Sequence, residues 1–237
     1  MMRLFLFTIL LIPLVGWGRE IKLDKLKTTL IDLEGERLVQ LTGDYQGDRL
    51  IIINAKGVHI EALGEVNIFS THTEEAIVLR NPEQVTIDGK GWLTLNQSIS
   101  VWEGAKDLTI KGVNIVGAHT GIRINQNQAY QDIRILYCTF RNISHEGVYI
   151  GPHFASEYKL SNVQIIGNTF SSIAWDAIQV GNTDNFKIEG NAIHYSGYTD
   201  TYGQNYGITI NPGSKGHLVN NTGDYRLQVL QSTVFIQ

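Results

Sequence analysis

Short stretches in which apolar residues alternate with variable ones recur along the chain. They begin at intervals of 22 to 30 residues, and the aligned blocks are 49–52, 76–79, 98–101, 121–124, 147–150, 177–180 and 207–210. Alternation with a period of two residues indicates a strand that buries one face. The pattern therefore predicts one short strand in each of seven successive repeats.

Two further short strands are predicted in most repeats. The second series begins at Val58, Val85, Leu108, Ile133, Val163 and Phe186, and the third includes 113–115, 138–140, 168–170 and 191–193. One such unit cannot bury its own apolar face, but stacked units place equivalent strands about 4.8 Å apart around a shared core. We expect an all-β parallel β-helix, a three-sheet solenoid of about seven coils. Leucine-rich repeats and propellers fit less well, because fixed leucine offsets and units of four antiparallel strands are missing.

Asparagine recurs at one turn between the second and third strands. It occurs in Gly167-Asn168, in Gly190-Asn191 and, one repeat later, in Asn220-Asn221. In a stack of coils these side chains would lie above one another, where their amides could satisfy each other. We interpret these asparagines as structural.

With these repeats, the chain resembles the pectin-lyase-like superfamily of right-handed parallel β-helix proteins. The resemblance runs from about Val39 to Asn221 and includes an opening strand and tight glycine turn at 38–47. It implies the right-handed fold. It does not imply one activity, because the superfamily includes lyases, hydrolases, epimerases and non-catalytic adhesins.

The ends of the chain have their own patterns. Residues 1–18 predict a signal peptide, because the apolar run from Leu4 to Val15 is shorter than a membrane span of about 20 residues. A retained anchor helix is the alternative. Residues 19–48 would form an N-terminal cap and the first strand, including a short amphipathic helix through Leu23, Leu26 and Leu30. Residues 49–237 would carry the repeats, without a comparable C-terminal cap, which suggests a truncated copy of a longer protein.

Composition narrows the possible functions. Apolar residues make up 43% of the chain and the formal net charge is -4, so a folded core is expected and nucleic-acid binding is not. The lone cysteine, Cys138, excludes an intramolecular disulfide. We expect an exported monomer, with no membrane span after signal removal, that is extracellular, on the cell surface or periplasmic.

One set of candidate site residues lies on the outward face of the first strand series. This polar ladder comprises Ser100, Arg123, Tyr149, Gln179 and Thr209. The resemblance implies that the comparable sheet can form the floor of a polysaccharide groove. A simple solvated sheet face explains the same pattern equally well.

The turn that enters this strand series carries a second set. Its members are His119-Thr120-Gly121, His145-Glu146-Gly147, Trp175-Asp176-Ala177 and Asn205-Tyr206-Gly207. Stacking would place His119, His145, Trp175 and Asn205 in one column and Thr120, Glu146, Asp176 and Tyr206 in another. His145, Glu146 and Asp176 would then lie side by side, as acid/base catalysts or, for the two carboxylates, as ligands of Ca²⁺, the candidate cofactor. Substrate would bind to His119, Tyr149, Trp175, Gln179, Tyr206 and Thr209. An inert hydrogen-bonded turn ladder is the alternative.

Longer loops flank the later coils, at 151–160 and 195–205. Loops beside a groove commonly carry specificity. The resemblance implies that a lyase acting on a uronate polymer would use a Lys or Arg base, for which Lys159 and Arg123 are candidates. We therefore expect an exported protein that binds or cleaves an acidic polysaccharide by lyase-type elimination; the alternative is a non-catalytic surface or adhesive module.

Overall fold

The chain forms an all-β structure of stacked parallel strands. A computed structural model describes residues 20–23, 29–33, 35, 37–47, 49–71, 74–124, 128–152, 157–199 and 206–237. Within these ranges all the regular secondary structure is β-strand, and every strand pair is parallel. This arrangement is consistent with a parallel β-helix.

Numbered along the chain, the strands are β1 (Glu20–Leu23), β2 (Thr29–Ile31), β3 (Arg37–Gly47), β4 (Leu50–Ile53), β5 (Val58–Ser70), β6 (Glu75–Arg80), β7 (Glu83–Leu95), β8 (Ser98–Trp102), β9 (Ala105–Val116), β10 (Ile122–Ile124), β11 (Tyr130–Leu136), β12 (Thr139–Ile143), β13 (Val148–Ile150), β14 (Leu160–Ile166), β15 (Thr169–Ile173), β16 (Ile178–Val180), β17 (Thr183–Glu189), β18 (Ala192–Ser196), β19 (Ile208–Ile210), β20 (Lys215–Val219), β21 (Thr222–Gly223), β22 (Leu227–Val229) and β23 (Thr233–Ile236).

The strands form two sheets in the described part of the chain. Sheet 1 has nine strands in the order β2-β4-β6-β8-β10-β13-β16-β19-β22, and it contains the first predicted strand series. Sheet 2 has 14 strands, with a main path β1-β3-β5-β7-β9-β11-β14-β17-β20-β23 and a branch of β12, β15, β18 and β21. Strand order follows chain order within each sheet, so each coil stacks directly on the one before it.

The structure contains two sheets where three were expected, because the second and third strand series are continuous in the early coils. There β5 and β7 each run for 13 residues through both positions. In later coils asparagine interrupts the strand: Asn168 Oδ1 accepts a hydrogen bond from the Cys138 N–H at 2.8 Å, and Asn191 Oδ1 accepts one from the Asn168 N–H at 2.9 Å. These bonds replace ladder bonds at the turn, so sheet 2 branches there. The predicted asparagine column is confirmed.

Sheet 1 extends beyond the seven predicted repeats. Strand β2 pairs with β4 and β22 pairs with β19, adding one strand at each end. In the predicted cap, Leu23 and Leu30 lie in β1 and β2 and not in a helix, because this segment pairs with the sheets. Leu26 and the predicted signal peptide lie outside the described residues. None of the residues described forms a helix that could cross a membrane.

The apolar core lies between the sheets and is built from equivalent inward positions of successive coils. The rings of Phe140 and Phe170, which face each other in β12 and β15, stack with centroids 4.7 Å apart and planes 5° apart. This separation is close to the roughly 4.8 Å spacing of paired strands, so each coil repeats the packing of its neighbour. Cys138 is buried and free, and burial raises the pKa of its thiol to about 12.

Candidate functional site

The polar ladder of sheet 1 is in register but is mostly buried. Arg123 pairs with Ser100 and with Tyr149, and Gln179 pairs with Tyr149 and with Thr209. Arg123 is exposed, whereas the exposed fractions of the others are 2% for Ser100, 8% for Tyr149, 0% for Gln179 and 4% for Thr209. The solvated sheet face is therefore ruled out at four of the five positions. A ligand could reach Arg123 directly, but not the four buried side chains.

Three rings form a column at the turn before sheet 1. The His119 and His145 ring centroids lie 3.5 Å apart at an interplanar angle of 55°, and the His145 ring stacks on Trp175 at 3.7 Å and 7°. Backbone bonds fix the register, because the His145 N–H donates to His119 O and the Trp175 N–H donates to His145 O. The predicted column is confirmed for these three residues, which we call the ring column. Asn205 lies outside the described residues.

In the turn that enters sheet 1, each side chain of the neighbouring column is followed by a glycine or an alanine, because there is little room for a larger residue. A Cβ atom on Gly147 would lie 2.6 Å from Ala177 O and 2.7 Å from Cδ1 of Phe170. A side chain therefore does not fit there, and the backbone lies against the core ring. Packing of this kind holds the preceding residues, His145 and Glu146, in one place relative to the core.

The neighbouring column contains two buried carboxyl groups. Glu146 is 6% exposed and Asp176 is 1% exposed. The Thr120 hydroxyl lies 3.5 Å from Glu146 Oε2, at the limit of a hydrogen bond, and the Tyr206 N–H donates to Asp176 Oδ1 at 2.9 Å. Within the described residues Asp176 Oδ2 and the Thr209 hydroxyl are both buried without a hydrogen bond of normal geometry, although Thr209 lies close enough to lower the pKa of Asp176 and so oppose the effect of burial. Such a carboxyl group is costly to bury as an anion.

Burial favours the neutral forms of these side chains. Burial, with a smaller contribution from the charge of Asp176, raises the pKa of Glu146 to about 7, against the opposing effects of Thr120 and Arg123. Burial also raises the pKa of Asp176 to about 6. Burial and the neighbouring His119 lower the pKa of His145 to about 4. At neutral pH His145 is therefore uncharged, and the two carboxyls are near their titration ranges.

The described residues of the site supply two carboxyl groups and no larger cluster of metal-binding side chains. Across the described residues, no group of three or more His, Cys, Asp or Glu side chains is positioned to hold a metal ion. Glu146 and Asp176 offer two carboxyl groups, whereas Ca²⁺ takes six to eight oxygen ligands. Ca²⁺ binding stays a prediction, and no step proposed below depends on it.

The two candidate bases occupy different places. Arg123 lies close enough for its charge to affect Glu146, and its guanidinium carbon lies 5.6 Å from the centroid of the Trp102 ring. Lys159 immediately precedes β14 of sheet 2, where its Nζ lies 2.8 Å from Asp184 Oδ2. The structure therefore brings Arg123 near Glu146 and places Lys159 in a separate ion pair.

Several neighbours of the site were not predicted as site residues. Trp102 Nε1 donates to Glu75 Oε1 at 3.1 Å, and Glu75 also forms an ion pair with Arg49. Tyr206, in the predicted turn, packs its ring 5.4 Å from the guanidinium carbon of Arg226. The pairing of β6 with β8 places Trp102 opposite Arg80 and Glu75 opposite Ser98, so the alignment of repeats could not have indicated the contact between Glu75 and Trp102.

The end of β18 and the loop after it add a pair of exposed rings in the coil that follows Trp175. Tyr195 and Tyr198 stack at 4.9 Å and 14°, with exposed fractions of 61% and 47%. The N–H of Gly197, between them, donates to Trp175 O at 2.8 Å. The backbone between the two tyrosines is thus hydrogen-bonded to Trp175, and the tyrosine pair lies in the coil that follows the ring column.

Comparisons with known proteins give little further information. No protein-family model and no curated protein matches the chain. A search of solved structures finds similarity to PfbA, a surface adhesin of Streptococcus pneumoniae, with 12% sequence identity and a TM-score of 0.29. The similarity covers 89% of this chain and 64% of that one. At this TM-score the likeness establishes no common function.

Proposed function

We propose that this protein is an exported, non-catalytic β-helix module that binds an acidic polysaccharide along the ring column. The observation that carries the proposal is the contrast in accessibility at the turn. The rings of His119, His145 and Trp175 are partly or fully accessible, whereas Glu146 and Asp176 are buried. A polymer can therefore contact the rings without reaching the carboxyls.

Stacked rings suit a sugar chain that runs along the solenoid. The faces that the rings of His119, His145 and Trp175 turn towards one another are covered by the neighbouring ring, so a sugar would contact the edges of the column, where the imidazole and indole N–H groups can bond hydroxyls. The exposed rings of Tyr195 and Tyr198 offer apolar surface on which the C–H face of a pyranose can pack. The ring column and the pair of Tyr195 and Tyr198 span consecutive coils, which repeat about every 4.8 Å. Each coil would thus offer one contact to successive sugars of an extended polymer.

Arg123 gives the expected preference for an acidic polymer. It is the exposed member of the polar ladder and lies one coil from His145 and Glu146. A guanidinium can bond a carboxylate through two parallel N–H donors, and this pairing favours uronates over neutral sugars.

The test is binding of the mature protein to pectate, alginate and a neutral glucan, with two tryptophan variants compared. Trp175→Ala removes the end of the ring column, and Trp92→Ala removes a tryptophan that is 55% exposed in β7 of sheet 2. We expect affinity for an acidic polymer to fall about tenfold or more in Trp175→Ala, which corresponds to about 1.4 kcal/mol, and to be unchanged in Trp92→Ala. Equal effects of both substitutions would contradict binding at the ring column.

Acid/base cleavage is the second candidate, because Glu146 and Asp176 titrate near pH 7 and pH 6 in adjacent coils. A general acid or base works best with a pKa near the operating pH. The absorbance of unsaturated uronate products, measured with and without Ca²⁺, tests for lyase-type elimination. The binding proposal predicts no product and unchanged polymer binding in Glu146→Gln. Product formation that this substitution abolishes would establish an enzyme instead.

Export is tested separately. Residues 1–18 are proposed to be cleaved, so the mature protein should begin near Arg19. N-terminal sequencing of protein secreted by an expressing bacterial cell would identify the first residue. An intact N-terminus on membrane-attached protein would indicate a retained anchor.

A further inference from the structure

A cavity on the outer face of sheet 2 has the properties of a second ligand site. Its volume is about 400 Å³, within the usual range for small-molecule pockets. It lies over β17, β20 and β23, whereas the ring column precedes the strands of sheet 1. The lining residues are Asp184, Asn185, Lys215, Gly216, His217 and Phe235.

An irregularity in the sheet helps to form the cavity. The register between β17 and β20 shifts between Asp184 and Phe186, so that Asn185 has no partner in β20. Asn185 has a φ of 56°, and such bulges commonly redirect a side chain and bend the strand. Its Nδ2 donates to Asn162 Oδ1 at 2.7 Å. This bond fixes the side chain and leaves the amide oxygen of Asn185 as an acceptor.

Glycine provides the part of the wall between two outward side chains. A Cβ atom on Gly216 would lie 2.2 Å from Phe186 O and 2.5 Å from Cγ of the same residue. Only glycine therefore fits between Lys215 and His217, and the backbone packs tightly against the core. The two flanking side chains are held on the cavity side of β20, where both are exposed.

The charge balance of the cavity favours an anion. Asp184 is aligned with Lys215 in the sheet, but its Oδ2 is paired with Lys159 at 2.8 Å. In the part of the chain that the structure describes, Lys215 forms no ion pair. Asp184 is thus already neutralised by Lys159, and the ammonium group of Lys215 can pair with the negative charge of a ligand.

An apolar platform lies beside this cation. Phe235 is 48% exposed and its ring stacks on His217 with centroids 5.0 Å apart at 23°. The cavity thus combines an aromatic face, an ammonium group and an amide acceptor. This combination matches a saturated ring that has an apolar face, hydroxyl groups and one anionic substituent.

We propose that this cavity binds a uronate sugar unit. The sugar ring packs on Phe235, its carboxylate pairs with Lys215, and a hydroxyl donates to the amide oxygen of Asn185. The site is independent of the ring column, because it lies on the other sheet and shares none of its residues. It would give the protein a second contact with an acidic glycan.

The experiment measures the dissociation constants of glucuronate, glucose and acetate by ligand-observed NMR. It uses Trp175→Ala as the background, so that binding at the ring column is weakened, and the Lys215 and Phe235 variants in the same background separate the cavity from what remains of it. Glucose lacks the carboxylate and acetate lacks the ring, so the three compounds separate the two contacts. We expect glucuronate to bind at least tenfold more tightly than either of the others.

Two substitutions in this background then locate the site. Lys215→Gln should reduce glucuronate affinity to that of glucose, and Phe235→Ala should weaken glucuronate and glucose alike. Thermal unfolding monitored by circular dichroism checks that each variant is folded, and the Lys215 variant serves if loss of Phe235 disturbs β23. The proposal is overturned if glucuronate and glucose bind equally well, or if glucuronate affinity persists in folded Lys215→Gln. Glucuronate binding that depends on Lys215, in a protein whose polymer binding is not weakened by Trp175→Ala, would support the cavity and count against the ring column alone.

Discussion

Replacing Glu146 with glutamine should stabilise the protein at alkaline pH. The side chain is 6% exposed, and its pKa is raised from 4.5 to about 7, mainly by burial. The folded state therefore favours the protonated form. Between pH 4.5 and 7 the folded chain binds more protons at this site than the unfolded chain, so stability is lost as pH rises through that window.

The size of the effect follows from the two pKa values. One pKa unit corresponds to about 1.4 kcal/mol, so ionised Glu146 costs about 3 kcal/mol of folding free energy above pH 7. Glutamine has nearly the same shape and no charge. Glu146→Gln should thus gain up to about 3 kcal/mol at pH 8 and little at pH 4, which corresponds to a Tm higher by roughly 5–10 °C at pH 8.

Thermal unfolding of both proteins at pH 4, 6 and 8 measures this difference. The lowered pKa of His145 makes an opposite contribution, but it is present in both proteins and cancels to first order. Glu157→Gln is the matched control, because Glu157 is an exposed carboxylate close to the same coil. A Tm difference that stays constant with pH, or a less stable variant at pH 8, would refute a buried, neutral Glu146.

Three further outcomes follow from the same region. Asp176→Asn should also raise Tm above pH 6, and the double variant with Glu146→Gln should gain less than the sum, since the charge of Asp176 contributes to the raised pKa of Glu146. Gly147→Ala should destabilise by about 1–3 kcal/mol in chemical unfolding, because its Cβ would overlap Ala177 O and the Phe170 ring. Phe140→Ala should cost about 3–5 kcal/mol by the same measurement, as it removes a fully buried ring from the core stack.

The strand pattern could be predicted from the sequence because inward positions repeat from coil to coil. The alignment of Arg123 with Tyr149 and of Tyr149 with Gln179 follows directly from those repeats. The same regularity predicted the stacking of His145 on Trp175. The repeat of the alternating pattern thus determines which residues are neighbours in successive coils.

Accessibility could not be predicted in the same way. Gln179 and Thr209 are polar and point away from the core positions, yet both are buried. Their environment depends on contacts outside the strand, which alternation within a strand does not encode. Likewise, Lys159 lies between β13 and β14, and its position in the sequence does not reveal its ion pair, because the partner Asp184 belongs to β17 in the next coil.

The asparagine column has a direction. Asn191 Oδ1 accepts from the backbone N–H and the side-chain amide of Asn168, while Asn221 Oδ1 serves the corresponding groups of Asn191. Each side chain therefore satisfies the coil on its N-terminal side. If Asn191 were truncated to alanine, the amide proton of Asn168 would lose its acceptor and exchange faster with solvent, while that of Asn221 would not lose an acceptor. Loss of Asn191 would therefore raise the exchange rate of the asparagine amide in the preceding coil and not of the one in the following coil, and hydrogen exchange would detect this difference.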